Sequence, residues 1–184
     1  MSRRARDPDL LDALDARPRS VFEGIVWRVA RTGGDPLEPS YGNGRWDLQA
    51  FDVLYASLEG DGAIAEINYH LGLQPVFPSR LESTLHQIVV RASSVMRFDS
   101  LSDLEPFGVN IAHYSDPLYE RTREIGDAVA FLGCDALIAP SARWDCLTLV
   151  CITDNLSEPL TVRAAIEVDW SRWRASHPIR YRAT

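Results

Sequence analysis

The sequence predicts an α+β fold: one compact domain in which a mixed or antiparallel sheet is combined with a few helices. Three observations lead there. Apolar and polar residues alternate with a period of two in a series of short segments, which is the pattern of half-buried strands. Two longer segments carry the 3.6-residue period of amphipathic helices. The 184 residues show no linker, internal repeat or low-complexity tract, so a single core is expected. Residues 1–20 read as a tail with a short helix, and 21–184 as the domain itself.

In chain order, Leu10, Leu11 and Leu14 stand among five arginines and four aspartates in the first 20 residues, giving a short helix that ends before Pro18. A strand begins at Gly24, with Ile25, Trp27 and Val29 facing one way and Val26, Arg28 and Ala30 the other. Thr32 to Gly44 is a loop rich in Gly and Pro, long enough to suggest function. Asp52 to Ser57 is a strand with Val53, Tyr55 and Ser57 on one side. Asp61 to Leu71 is a helix with Ile64, Ile67 and Leu71 as its stripe and Gly72 as its stop. Gln74 to Arg80 is a connection. His86 to Ala92 and Val95 to Phe98 read as two strands, while Leu101 to Ser115 shows no decisive period.

A second helix is signalled by Asp116 as N-cap and Pro117 in the first position. Leu118, Thr122, Ile125, Val129 and Leu132 share one face, and Gly133 ends it. Three strands close the pattern: Ala136–Ala139, broken by Pro140-Ser141, then Cys146–Ile152 and Thr161–Val168. The expected total is about seven strands with two or three helices.

Composition narrows the function. Apolar residues are 46% and charged residues 24%, as in ordinary globular domains. A net charge of −7 gives no overall attraction to nucleic acid or anionic membrane. All 19 basic residues are arginine, which removes Schiff-base chemistry and a Walker-type phosphate lysine. Cys134, Cys146 and Cys151 form no CxxC pair, and His70, His86, His113 and His177 show no metal-binding spacing. No apolar run approaches a membrane span and no signal segment opens the chain, so a cytoplasmic location is expected.

The chemistry concentrates between Tyr41 and Gly72. A Gly-Asn-Gly turn delivers Arg45 and Trp46, the following strand carries Tyr55, and the next helix carries Glu66. These three residues, ten and eleven positions apart, sit on successive elements. A guanidinium for phosphate, a ring for stacking and one acid suit a nucleotide whose glycosidic bond is to be broken. Arg28, within a mostly apolar strand, needs an anionic partner if buried and none if it reaches solvent at an edge. By its position on the helical wheel Glu66 is a solvated carboxylate, unless that face of the helix lines a cleft.

Gly44-Arg45-Trp46, the strand Leu54-Tyr55-Ala56, the helix Ala63-Ile64-Ala65-Glu66 and the later Ala139-Pro140-Ser141-Ala142 resemble the RES-domain toxins of bacterial toxin–antitoxin pairs. The likeness runs from about Gly24 to Val150. Two details depart from it: Asp47 stands where asparagine is expected, and Gly62 lies in the first turn of the helix. The resemblance implies a fold like that of diphtheria-type ADP-ribosyltransferases, with NAD as substrate and no prosthetic group or metal. Catalytic roles would fall to Glu66, Arg45 and Tyr55, and substrate binding to Arg28, Arg45, Tyr55 and Ser141. Ser141 also has the position of a plain turn residue.

Some relatives degrade NAD by hydrolysis or phosphorolysis and others transfer ADP-ribose to a protein; the first is the expected activity. The implied partner is an antitoxin with a helix-turn-helix domain, and homo-oligomerisation is left open. A catalytically inactive binding module of the same fold is the rival from another class.

Overall fold

Residues 5–40, 44–75 and 81–177 are described in a computed structural model of the chain. Asp7 opens helix α1 (Pro8–Asp15) as its N-cap: the carboxylate accepts from the amides of Asp9 and Leu10 at 3.1 and 3.4 Å. Leu10 and Leu14 are buried as their spacing predicts. Each contributes about 1.5–3 kcal/mol by leaving water.

Six strands are formed: β1 (Ser20–Arg31), β2 (Val53–Ser57), β3 (Ser83–Arg97), β4 (Ala136–Pro140), β5 (Leu147–Ile152) and β6 (Thr161–Glu167). Neighbours run β1-β2-β5-β4-β3-β6, and β1 also pairs with β3, so the first five close into a ring. All pairings are antiparallel except β3 with β4. The mixed α+β sheet domain expected from the sequence is therefore present, with six strands rather than seven among the described residues.

The missing strand has a physical cause. His86–Ala92 and Val95–Phe98 belong to the single 15-residue strand β3. Ser93 and Ser94 interrupt its apolar pattern where one edge of β3 passes from β6 (at Thr84–Val89) to β4 (at Val95–Arg97). The Asp135 carboxylate accepts from the amides of Ser93 and Ser94 at 2.6 and 3.1 Å and from the Ser93 hydroxyl at 2.8 Å. A buried acid thus satisfies backbone donors at the change of partner, and the strand continues.

Helix α2 (Gly60–Gly72) agrees with the expected span to within a residue. Helix α3 (Glu120–Phe131) starts later than its apparent cap: Asp116 is bound to His113 Nδ1 at 2.8 Å, and Leu118 stands 72% exposed. Gly133, at φ +73°, ends the helix as expected. The stretch Leu101–His113 forms three short 3-10 turns. A fourth helix, α4 (Trp170–Ser176), was not foreseen; Asp169 caps it by accepting from the Arg172 amide at 2.9 Å. The 76–80 part of the expected Gln74–Arg80 connection lies outside the described residues.

The core falls on both faces of the sheet. Val26, Leu54, Ile88, Ile138 and Leu149 fill one cluster. Trp46, Phe98, Phe107, Ile125 and Leu137 belong to another, beneath α1 and α3. β1 and β2 share one register pair, Trp27↔Ser57. A cavity with walls from both strands and from α2 lies there.

Candidate active site

The turn that carries Arg45 is fixed by four contacts. The Tyr55 hydroxyl accepts from the Trp46 amide at 2.8 Å and donates to Asp47 Oδ2 at 3.0 Å. The same carboxylate oxygen accepts from the Gly44 amide at 3.0 Å. Arg123 Nε, on α3, donates to the Gly44 carbonyl at 2.9 Å. Gly126, one helical turn further on, lies so close to the Trp46 carbonyl that a Cβ there would overlap it; Gly44 is packed in the same way on the Tyr55 ring. The Trp46 side chain is 2% exposed and Asp47 fully buried.

Asp47 is therefore the structural centre of the turn, not a stray charge beside the arginine. Burial, and next the Asp47 charge, push the Tyr55 phenol well above its usual range, so Tyr55 is a neutral hydrogen-bond bridge. With both functions of its hydroxyl engaged, it offers the cavity its ring and not its oxygen.

Held this way, Arg45 projects between two aromatic rings. Its guanidinium carbon lies 4.5 Å from the centre of Tyr114 and 4.4 Å from that of Tyr119. Burial lowers its pKa and the two tyrosines and Glu66 raise it, while arginine remains a cation at any physiological pH. Rings on the faces leave the in-plane N–H fork for a bidentate anion. Tyr114 is itself anchored by donating to the Pro140 carbonyl at 2.7 Å.

Glu66 lies on the face of α2 that also presents Gly62, Ala63, Ile67 and His70 to the cavity. That face lines a cleft, the condition the functional reading required, although the Glu66 side chain keeps 46% of its exposure. Its Oε1 lies 3.1 Å from His70 Nε2, one turn along the helix. Gly62 brings α2 close to β2 and to the residue that precedes β5: a Cβ there would overlap Ser57 Oγ and Cys146 Sγ. Arg28 reaches the same cavity from β1, with its Nη1 buried and without a partner among the described residues. Burial lowers its pKa, against the weaker pull of Glu38 and Asp35.

Arg28, Arg45, Tyr55 and Glu66 thus line one cavity of about 380 Å³, in the size range of small-molecule sites. Ser141 is placed differently. Its neighbours Pro140 and Ala142 line the cavity, while its Oγ accepts from the amides of Arg143 and Trp144 at 3.2 and 3.3 Å. That is the bonding of a serine closing a turn. Among the described residues no cluster of His, Cys, Asp and Glu could hold a metal.

Sequence reasoning missed Tyr114, Tyr119, Arg123, Gly126 and His70. The spacing of His70 four residues after Glu66 is a local signal; the others lie far away in the chain and join the site only through the packing of α3 and, for Tyr114, its bond to the Pro140 carbonyl.

The RES domain family profile matches residues 25–176, most of the chain. The chain belongs to the RES-domain family. A chain of the crystal structure of the M. tuberculosis MbcT–MbcA toxin–antitoxin complex superposes with a TM-score of 0.79 and 18% identity, over 93% of this RES domain chain and 98% of that one. At that identity the likeness establishes the shared fold. The human protein unc-13 homolog D is 27% identical over 135 residues, 67% of this chain. The chain spans only 11% of that curated relative.

Proposed function

We propose that this RES domain is the toxin of a toxin–antitoxin pair and consumes NAD by cleaving the bond between nicotinamide and ribose, by hydrolysis or phosphorolysis. The observation that carries the reading is one cavity lined by two arginines from different elements, an aromatic wall and a single half-exposed carboxylate. The aromatic-stacked Arg45 fork matches a pyrophosphate. Arg28 supplies a second cation for the same dinucleotide. Glu66 faces the ribose, where oxocarbenium character builds as nicotinamide leaves, and stabilises that charge directly or through a ribose hydroxyl. His70 orients the carboxylate, and the Tyr55 bridge holds the turn that aims Arg45. Nicotinamide departs as a neutral base from a cationic ring, so the step needs no strong general acid.

The partner in this reading is an antitoxin that covers the cavity, in keeping with the toxin–antitoxin complex whose chain shares the fold. The place of action is the cytoplasm, where NAD is available; among the described residues no helix is long and apolar enough to cross a membrane.

The test is release of free nicotinamide from NAD by the purified chain. Release without an acceptor protein supports NAD degradation. Release only with cell lysate, accompanied by labelled protein, would reassign the domain as an ADP-ribosyltransferase. No release in either case would leave a binding module. Induction in bacteria without a partner should stop growth and deplete NAD, and co-expression of the antitoxin should restore both.

A further inference from the structure

Arg28 pairs in register with His86 on β3, so the two side chains stand on the same face of adjacent strands. His86 is 8% exposed, and neither Nδ1 nor Nε2 has a partner among the described residues. Arg28 Nη1 is in the same condition. Buried polar atoms are nearly always bonded, because one left unpaired keeps the full cost of losing its water. Three such atoms thus stand unmet on one register pair, of which Arg28 reaches the cavity. Asp35 and Glu38 act on Arg28 only through space; the Asp35 carboxylate instead accepts from the Leu37 amide at 2.8 Å. Ala165, opposite His86 on β6, brings no polar side chain.

We infer that Arg28 and His86 form a second oxyanion subsite, separate from Arg45, for a phosphate group. Arg28 supplies the charge and the N–H fork. His86 supplies one neutral N–H donor: burial, and then the neighbouring guanidinium, depress its pKa and keep the ring uncharged beside the cation. A neutral donor next to a guanidinium adds a directed bond without repelling it, which a second cation would do. The phosphate has two sources, the pyrophosphate of the dinucleotide or free inorganic phosphate serving as the acceptor. The inference rests on the proposed NAD reading only for the identity of the dinucleotide.

The experiment follows the His86 ring nitrogens by NMR in the full-length, histidine-labelled chain, titrated separately with inorganic phosphate and with ADP-ribose. Saturable movement of the His86 signals is expected with at least one probe. Response to phosphate alone assigns the subsite to a free acceptor, and response to ADP-ribose alone to the dinucleotide. His86→Phe should weaken the active probe about tenfold or more, the scale of one hydrogen bond to a charged group. His86→Gln, which keeps an N–H donor, should recover most of that loss, and neither variant should lower the melting temperature. Silent His86 signals with both probes, or wild-type affinity in a folded His86→Phe chain, would overturn the inference. Nicotinamide release with a silent His86 sinks this subsite alone. A responsive His86 in a protein that never releases nicotinamide sinks the NAD reading and leaves the subsite standing.

Discussion

Gly126→Ala is the sharpest probe of how the Arg45 turn is held. In an ordinary helix interior this change would stabilise by about 1 kcal/mol, because alanine is the better helix former. Here the new methyl would overlap the Trp46 carbonyl, and either α3 or the turn would have to retreat by roughly 1 Å. Overpacking of that kind costs about 1–3 kcal/mol. Trp46 is buried and its amide and the Gly44 carbonyl are both engaged, so the cost belongs at the upper end. The net expectation is a loss of about 1–2 kcal/mol, or a melting point lower by roughly 2–8 °C for a domain of this size.

Activity should fall further than stability, since a misplacement of about 1 Å in a binding group can cost around a hundredfold. Gly72→Ala is the matched control: it ends α2, and nothing lies within 4 Å of its would-be Cβ. The assay is thermal melting beside nicotinamide release for the two variants. A Gly126→Ala protein that melts with or above wild type and retains full activity would refute the claim that α3 positions the arginine by direct backbone contact.

Arg45→Lys should lose about 1–3 kcal/mol of substrate binding, because a point ammonium neither fills the slot between Tyr114 and Tyr119 nor copies the planar fork; an unchanged KM would remove Arg45 from phosphate recognition. Glu66→Gln should cut the rate constant by about 10²–10³ with NAD affinity and melting unchanged, and normal turnover in the folded variant would take Glu66 out of the mechanism. Tyr55→Phe should cost about 1–3 kcal/mol, since it strips the Trp46 amide and Asp47 of a partner; undiminished stability would show that the bridge is dispensable. Because the Tyr55 pKa is raised in the folded state, its stabilising effect is complete below the unfolded value of about 10 and is lost as pH rises above it. Melting curves from about pH 9 to 11 should therefore fall less steeply for the Phe variant.

Most of the fold was legible because strand alternation and glycine stops are local signals. Alternating runs and short wholly apolar runs located β1, β2, β4, β5 and β6, and Gly133 ended α3 where expected. The errors arose where another residue's side chain, far away in one case and three positions away in the other, overrode the local pattern. Ser93-Ser94 looks like a break until Asp135, 41 or 42 positions away, supplies the acceptor. Asp116 looks like a helix cap until His113 takes its carboxylate. For the site, residue types at the right spacing marked Arg45, Tyr55 and Glu66, and a charge within an apolar strand marked Arg28. The aromatic slot around Arg45 was illegible because Tyr114 falls in a stretch without period and Tyr119 lies within the helix expected from Asp116, although both precede α3. The role of Asp47 was hidden too, since only the folded turn shows the acid facing inward to the Gly44 amide and the Tyr55 hydroxyl.

The ring of strands is closed on one side by the single pair Trp27↔Ser57, whereas β1 and β3 are joined along eleven registered positions. These two seams differ greatly in the work needed to part them. Local opening follows the weakest line of hydrogen bonds and leaves the rest of a sheet intact. The β1–β2 seam should therefore breathe on its own, and its amides should exchange with solvent far sooner than those along β1–β3. Since that seam is also a wall of the cavity, the width available to a ligand is governed by the least cohesive part of the sheet, while the face that holds Arg28 beside His86 stays rigid.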